Sequence, residues 1–340
     1  MANVNGHTIN RREFVRNLAL AGAGVGMLGN AAFPAIAGGQ PGDIRIGIVG
    51  LAVHSAAFSQ LLNDPEKAAD LAGCRVTALY HPPGNPDVDF TKEQLDKFEQ
   101  DVREMGVAIV SSMEELLRQV DVVMIETNDG RPHLEQVMPT FRAGKPVFID
   151  KPVAADLKGV MEIFDQAKAF RVPVFSSSSL RYLKSAQGVD RSQVLGAYTY
   201  SPAPTEKSHT ELFWYGIHGV ELLYTVMGTG CQEVMHVHHT DGEDVVVGFW
   251  DHDRVGTFRG IRQGRRDYGG TVFGKEVNTP LGTFEGYRPL VVKVVEFFRS
   301  KRPPVPVQET LEIYAFMEAA QESRKRGGTK VRLEEVLGSL

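Results

Sequence analysis

Asp150-Lys151-Pro152 concentrates more chemistry than any other stretch of this chain. An acid, an amine and a ring-locked residue follow directly on Val147-Phe148-Ile149, a short apolar run without alternation that reads as a buried parallel strand. Ligands of open α/β sheets are met just past the carboxyl ends of such strands, so Asp150 and Lys151 stand in that zone. Pro152 fixes its own φ and pushes Lys151 towards extended geometry. An amine there can serve as a proton acceptor for an alcohol losing hydride, provided that it comes within hydrogen-bond reach. The same local pattern also fits a charged pair at a strand end before a helix, and the rest of the chain must decide between the two.

Two further groups of residues carry chemistry. A helix expected from about 211 to 227 holds Trp214, Tyr215, His218 and Glu221, and positions 214 and 218 would share a face. Aromatic faces beside polar groups suit a sugar, and Arg181 with Tyr182, after a run of four serines, is expected to reach the same cleft. The second group is the turn Gly50-Leu51-Ala52-Val53-His54-Ser55. It keeps the first glycine of G-x-G-x-x-G and replaces the others by Ala52 and Ser55. Small residues still admit a phosphate, the following helix offers free N–H groups, and the Ser55 hydroxyl and His54 ring are additional donors. The second strand ends in Tyr80-His81 and lacks the acid that usually holds a ribose, leaving Asp87 or Asp89 to reach back from a proline-rich loop. His236, His238 and His239 have no acid at a recognisable ligand spacing, so they are expected on a solvated or interface face and no metal site is expected.

The elements needed to position these groups are legible. Strands at about 43–50, 75–80, 107–110, 121–125, 147–149 and 172–175 alternate with helices at about 55–63, 92–104, 112–118 and 156–170 and with one that starts at Arg131-Pro132-His133. Ser111 and Glu114 read as a capping box for the third of these helices. Such alternation means a doubly wound, Rossmann-like parallel sheet with right-handed crossovers. After Ser179 the style changes to a short helix at 181–187, a strand at 195–200, the helix with His218, and strands at 233–239, 244–250, 255–262 and 268–273. The second unit is therefore expected to be α+β with a mainly antiparallel sheet. Helices at 287–300 and 307–326 close the chain. The expected organisation is 1–37 signal, 42–178 dinucleotide domain, 179–306 substrate and oligomerisation domain, and 307–340 closing helix and tail.

Length and composition agree. The chain has 340 residues, 42% hydrophobic and 23% charged, with a net charge of -5, as in ordinary globular proteins of two domains. The acidity gives no footing for nucleic acid, which needs a basic patch. Cys74 and Cys231 stand apart from any CxxC and read as core thiols. Asn10-Arg11-Arg12-Glu13-Phe14-Val15-Arg16, the weakly apolar stretch 18–32 and Ala35-Ile36-Ala37 read as a twin-arginine export signal with its cleavage site. The apolar stretch falls below the ~20 residues that span a bilayer, and the mature chain is expected to have no membrane span.

Taken together, the glycine turn, Glu126-Thr127-Asn128 with His133 beyond it, Asp150-Lys151-Pro152, and His218 with Glu221 resemble the Gfo/Idh/MocA oxidoreductases. The resemblance covers nearly the whole mature chain. It implies NAD or NADP lying over Gly50, Ala52, Val53, His54 and Ser55 and beside Thr127, Asn128, His133 and Asp150, with Lys151 between nicotinamide and substrate and His218 facing it. It further implies hydride transfer to or from a sugar, polyol or related hydroxyl compound, and a homodimer or homotetramer formed through the second sheet. The family often has an aspartate four residues before the histidine, where this chain has Trp214. An exported enzyme cannot draw on free NAD, so a tightly held cofactor is expected. Two other functions fit the same residues: a glycosidase or lyase working through transient oxidation, and a non-catalytic carbohydrate-binding or scaffold protein.

Overall fold

The structure is a computed structural model that describes residues 42–338 apart from 86 and 89. The twin-arginine stretch, its cleavage site and Asp89 lie outside the described residues. The first half consists of β1 (Ile44–Val49), α1 (Val53–Asn63), β2 (Cys74–Tyr80), α2 (Lys92–Glu104), β3 (Ala108–Val110), α3 (Met113–Gln119), β4 (Val122–Ile125), α4 (His133–Arg142), β5 (Val147–Ile149), α5 (Leu157–Phe170) and β6 (Val174–Phe175). Its six strands are ordered β3-β2-β1-β4-β5-β6 and all pair in parallel. The apolar runs of β4 and β5 are buried at every residue because helices cover both faces, so no alternation survives in the sequence. The order reverses between β1 and β4, and the crevice of a doubly wound sheet opens at that switch point.

Local signals place the helix ends with one shift. Ser112, not Ser111, caps α3 by accepting the Glu115 N–H at 3.1 Å. The Glu115 carboxylate reaches back to the N–H and hydroxyl of Ser111, so the expected reciprocal cap forms one residue later. Asp156 caps α5 through the Gly159 N–H at 2.7 Å.

The second half contains a 3₁₀ turn (Ser179–Tyr182), α6 (Lys184–Gln187), β7 (Val194–Pro202), α7 (Ile217–Met227), β8 (Cys231–Thr240), β9 (Glu243–Trp250), β10 (Val255–Ile261), β11 (Gly269–Gly274), β12 (Asn278–Leu281), α8 (Arg288–Ser300), α9 (Val307–Lys325), β13 (Val331–Arg332) and α10 (Leu333–Gly338). Seven strands form a sheet ordered β12-β11-β7-β10-β9-β8-β13. It is mainly antiparallel, with β7 and β10 in parallel.

Helix α7 is buried along its whole length. Gly219 lets it lie on the sheet, because a Cβ there would fall 2.4 Å from the Phe258 ring. That packing turns His218 and Glu221 away from the sheet, towards the first half. Helix α9 joins the two halves: the Tyr314 hydroxyl accepts the Val153 N–H at 2.8 Å, just beyond a cis Lys151–Pro152 peptide. Cys74 and Cys231 are buried and unbridged, in separate apolar clusters.

Candidate functional site

Gly50 shows why the first turn must be built as it is. Its φ is +98°, and a Cβ there would lie 2.4 Å from the Thr127 nitrogen, so only glycine lets the ends of β1 and β4 close together. The Ser55 hydroxyl donates to the Gly50 carbonyl and accepts the Ala52 N–H, both at 3.0 Å. Ser55 thus braces the turn from inside and is not presented to a phosphate. Val53 opens α1, whose first N–H groups have no side-chain cap apart from that brace, leaving a helix N-terminus available to an anion.

The carboxyl ends of β4 and β5 bring a buried group of ionisable residues against this turn. His54 Nδ1 lies 2.6 Å from Asp150 Oδ2. The His54 ring stacks on Phe58 with centroids 5.2 Å apart and meets Tyr287 edge-on at 4.7 Å. Beside them Glu126 is fully buried, and neither of its carboxylate oxygens has a hydrogen-bond partner. Burial and the neighbouring Asp150 push the Glu126 carboxyl far above the ordinary range. Burial opposes ionisation of Asp150 too, but His54 and Lys151 outweigh it and hold that carboxyl below its usual value.

Lys151 carries its amine towards Tyr215, 5.6 Å from the ring centroid. The same ring meets His218 edge-on at 4.7 Å, and the Tyr215 and Tyr268 hydroxyls are 2.8 Å apart. His218 Nδ1 lies 2.7 Å from the Ser178 hydroxyl, which fixes the ring. Burial, followed by the charge of Lys151, depresses the basicity of His218 well below that of a free imidazole. The chain therefore gathers His54, Asp150, Lys151, Tyr215 and His218 from both halves into one cleft.

Other expected residues sit elsewhere. Arg181 is buried, donating from Nε to Glu221 at 2.7 Å and from a terminal nitrogen to Glu309 at 2.5 Å. It is a structural cation tying the serine run to α7 and α9, because two buried carboxylates claim it. Tyr182 belongs to the apolar cluster beneath α8. Helix α7 begins only at Ile217, so Trp214 is not one turn below His218; it packs on His209, with centroids 5.0 Å apart. His133 is buried with one ring nitrogen 2.9 Å from the Thr127 carbonyl and the other 3.0 Å from that of Val153, bracing two strand-end loops from behind. The Thr127 hydroxyl donates to Gln136, and Asn128 donates to the Val88 carbonyl. Asp87 pairs with Arg131 at 2.7 Å and does not reach back over the crevice. His236 and His238 do not share a face, because a bulge separates them in the pairing with β9. His236 and His239 instead converge on Asp244 at 2.9 and 2.6 Å, an acid supplied by the adjacent strand.

Glu126, Ser177, Ser178, Tyr268 and Tyr287 were not foreseen as site residues. Glu126 ends a buried strand just as Asp150 does, and the strand-end argument applies equally to it. The serines follow β6 and hold Glu221 and His218: the Ser177 hydroxyl and the Ser178 N–H each donate to Glu221 at 2.7 Å. Nothing local marks the tyrosines.

The crevice fits a dinucleotide at its phosphate end, where Gly50 closes on Thr127 and α1 presents its N-terminus. The acid expected for the ribose is missing, with Tyr80 and His81 in its place. Residues 44–178 match the model of the oxidoreductase family with an NAD-binding Rossmann fold. An inositol 2-dehydrogenase of Azotobacter vinelandii is 32% identical over 101 residues, 29% of this chain and 27% of that protein. The curated relatives are matched over about a third of their length or less. Among solved structures, myo-inositol 2-dehydrogenase from Lactobacillus plantarum superposes with a TM-score of 0.69 at 17% identity, covering 85% of this chain and 99% of that one. The scyllo-inositol dehydrogenase from Lactobacillus casei with bound NAD(H) and scyllo-inositol gives 0.65 at 14% identity, covering 86% and 99%. Over residues 44–178, which hold the six-stranded parallel sheet and the glycine turn, the chain is similar to the Gfo/Idh/MocA oxidoreductases.

Proposed function

We propose that the chain is an exported NAD(P)-dependent oxidoreductase acting on a cyclic polyol or sugar, with Lys151 and His218 at the reacting centre. The observation that carries this reading is the aromatic bridge: Lys151 of the strand-end loop and His218 of α7 both meet the Tyr215 ring. A proton acceptor and a polar ring from different halves thereby face one cleft, beside the crevice where a dinucleotide's phosphates fit. The bound cofactor would supply the hydride acceptor. Lys151, as the neutral amine, would take the hydroxyl proton, and His218, neutral because it is buried, would hydrogen-bond a second substrate oxygen. Tyr215 and Tyr268 offer apolar ring surface to a polyol's C–H face.

Replacement of Lys151 by Met tests this. The variant should bind NAD as the wild type does and lose roughly 10²–10⁴-fold in turnover, the range for a missing acid–base group. Undiminished turnover would refute the assignment. Export rests on the N-terminal sequence pattern. Assembly into a homodimer or homotetramer is supported by the outer face of the second sheet, which leaves Tyr198, Tyr200, Val247 and Phe249 partly exposed. Among the described residues, no helix is long and apolar enough to cross a membrane.

A further inference from the structure

We propose that His54, Glu126 and Asp150 form a binding site for one divalent transition-series cation, Zn²⁺ or Mn²⁺. Each residue offers a ligand atom, and these atoms lie within 4.8 Å of one another. They come from three segments fixed by the first sheet. His54 is in the first turn of α1. The Glu126 N–H donates to the Val49 carbonyl at 2.7 Å, and the Asp150 N–H to that of Ile125 at 2.9 Å. The ligand-bearing backbone is thus held by strand-like hydrogen bonds, as a preformed site needs.

The independent sign of a ligand is the state of the carboxylates. Glu126 is 0% exposed with both oxygens unpartnered, and Asp150 is 5% exposed with Oδ1 unpartnered. Buried polar atoms normally find a partner, and two adjacent buried carboxylates need either a proton between them or a cation. A divalent ion would balance both charges and satisfy the open oxygens at once. Lys151 and His218 also face this group, but the Lys151 amine extends towards Tyr215 and His218 is held by Ser178. A nitrogen with two carboxylate oxygens suits Zn²⁺ or Mn²⁺, whereas Mg²⁺ and Ca²⁺ favour oxygen alone. Bonds of about 2.0–2.2 Å would require only small movements of these side chains.

The comparable group on the second sheet differs. His236, His239 and Asp244 also approach one another, but Arg262 already donates to Asp244. A metal there would have to displace a guanidinium. The cation site goes beyond the hydride-transfer reading but shares His54 and Asp150 with the cofactor cleft of that reading, so metal and nicotinamide must be measured separately.

The test uses the full chain without its signal. Protein is loaded with Zn²⁺ or Mn²⁺, dialysed, and assayed for metal by plasma mass spectrometry and for bound nicotinamide separately. Wild type and His239→Asn should retain about one equivalent and show a Tm several degrees higher than metal-free protein. Glu126→Gln and His54→Gln should each bind at least tenfold more weakly, and Mg²⁺ should not compete. If Glu126→Gln fails to fold, as judged by circular dichroism, His54→Gln decides. Absence of retained metal and of any Tm shift in wild type would overturn the proposal. So would full retention in a folded Glu126→Gln or His54→Gln variant, or loss confined to His239→Asn.

Discussion

Replacement of Arg181 by Met separates a structural cation from a substrate contact. In the folded chain Arg181 is 6% exposed, between Glu221 at 4% and Glu309 at 6%. Its Nε donates to Glu221 at 2.7 Å and a terminal nitrogen to Glu309 at 2.5 Å. Methionine would roughly fill the aliphatic stem but leave two carboxylates buried without their cation. Glu221 keeps its bonds from Ser177 and Ser178. Glu309 would keep none of the hydrogen bonds described here. Removing one partner of a buried ion pair costs about 3–5 kcal/mol, and at this chain length each kcal/mol lowers Tm by about 2–4 °C, so a fall of about 10 °C is expected. Equilibrium urea unfolding of residues 38–340, followed by far-ultraviolet circular dichroism, should show the midpoint displaced to lower urea with the slope unchanged. Adding Glu309→Leu should recover part of the loss, because an apolar replacement removes the stranded charge. A loss below about 1 kcal/mol, together with a large rise in KM, would refute the structural assignment.

Gly50→Ala should abolish measurable NAD binding by calorimetry even where the variant folds, since the added Cβ would sit 2.4 Å from the Thr127 nitrogen at a φ of +98°. Retention of wild-type affinity would show that the turn does not form the phosphate cradle. Stability should also fall in mild acid. Buried His209 accepts the Gly130 N–H, and burial depresses its pKa from 6.5 to about 4. The depressed value means that its contribution is complete above about pH 6.5 and is lost as the pH falls towards 4, amounting to about 3 kcal/mol. Burial lowers His133 and His218 in the same direction. Urea midpoints between pH 7 and 4.5 should therefore drop, and His209→Gln should flatten the slope by about 1.4 kcal/mol per pH unit. An unchanged slope would contradict this account of His209.

The first sheet was legible because β4, β5 and β6 are unbroken apolar runs and α2, α3 and α5 open on side-chain caps. The strand-end rule put Asp150 and Lys151 just past β5, where they lie, and His218 falls on α7 as expected. Most of the misreadings share one cause, that partners far apart in sequence decide what a polar side chain does. Arg181 meets Glu309 from 128 positions away. His133 is spent on two carbonyls, and Asp244 reaches His236 and His239 only through strand pairing. Trp214 failed for a local reason: Gly216 ends the preceding turns and delays α7, so the helical spacing to His218 never applied. The capping box shifted by one residue because Ser111 and Ser112 compete for the same role, and it is the Ser112 hydroxyl that meets the Glu115 N–H.

Single-turnover reduction of bound cofactor tests the central claim most directly. Protein comprising residues 38–340, purified after cytoplasmic folding and loaded with NAD or NADP, is mixed without oxygen with a panel of inositols and aldoses while nicotinamide fluorescence is followed. At least one polyol should give a stoichiometric rise in reduced cofactor in wild type and almost none in Lys151→Met. Failure of the wild type to hold either cofactor, or equal reduction in the two proteins, would contradict it.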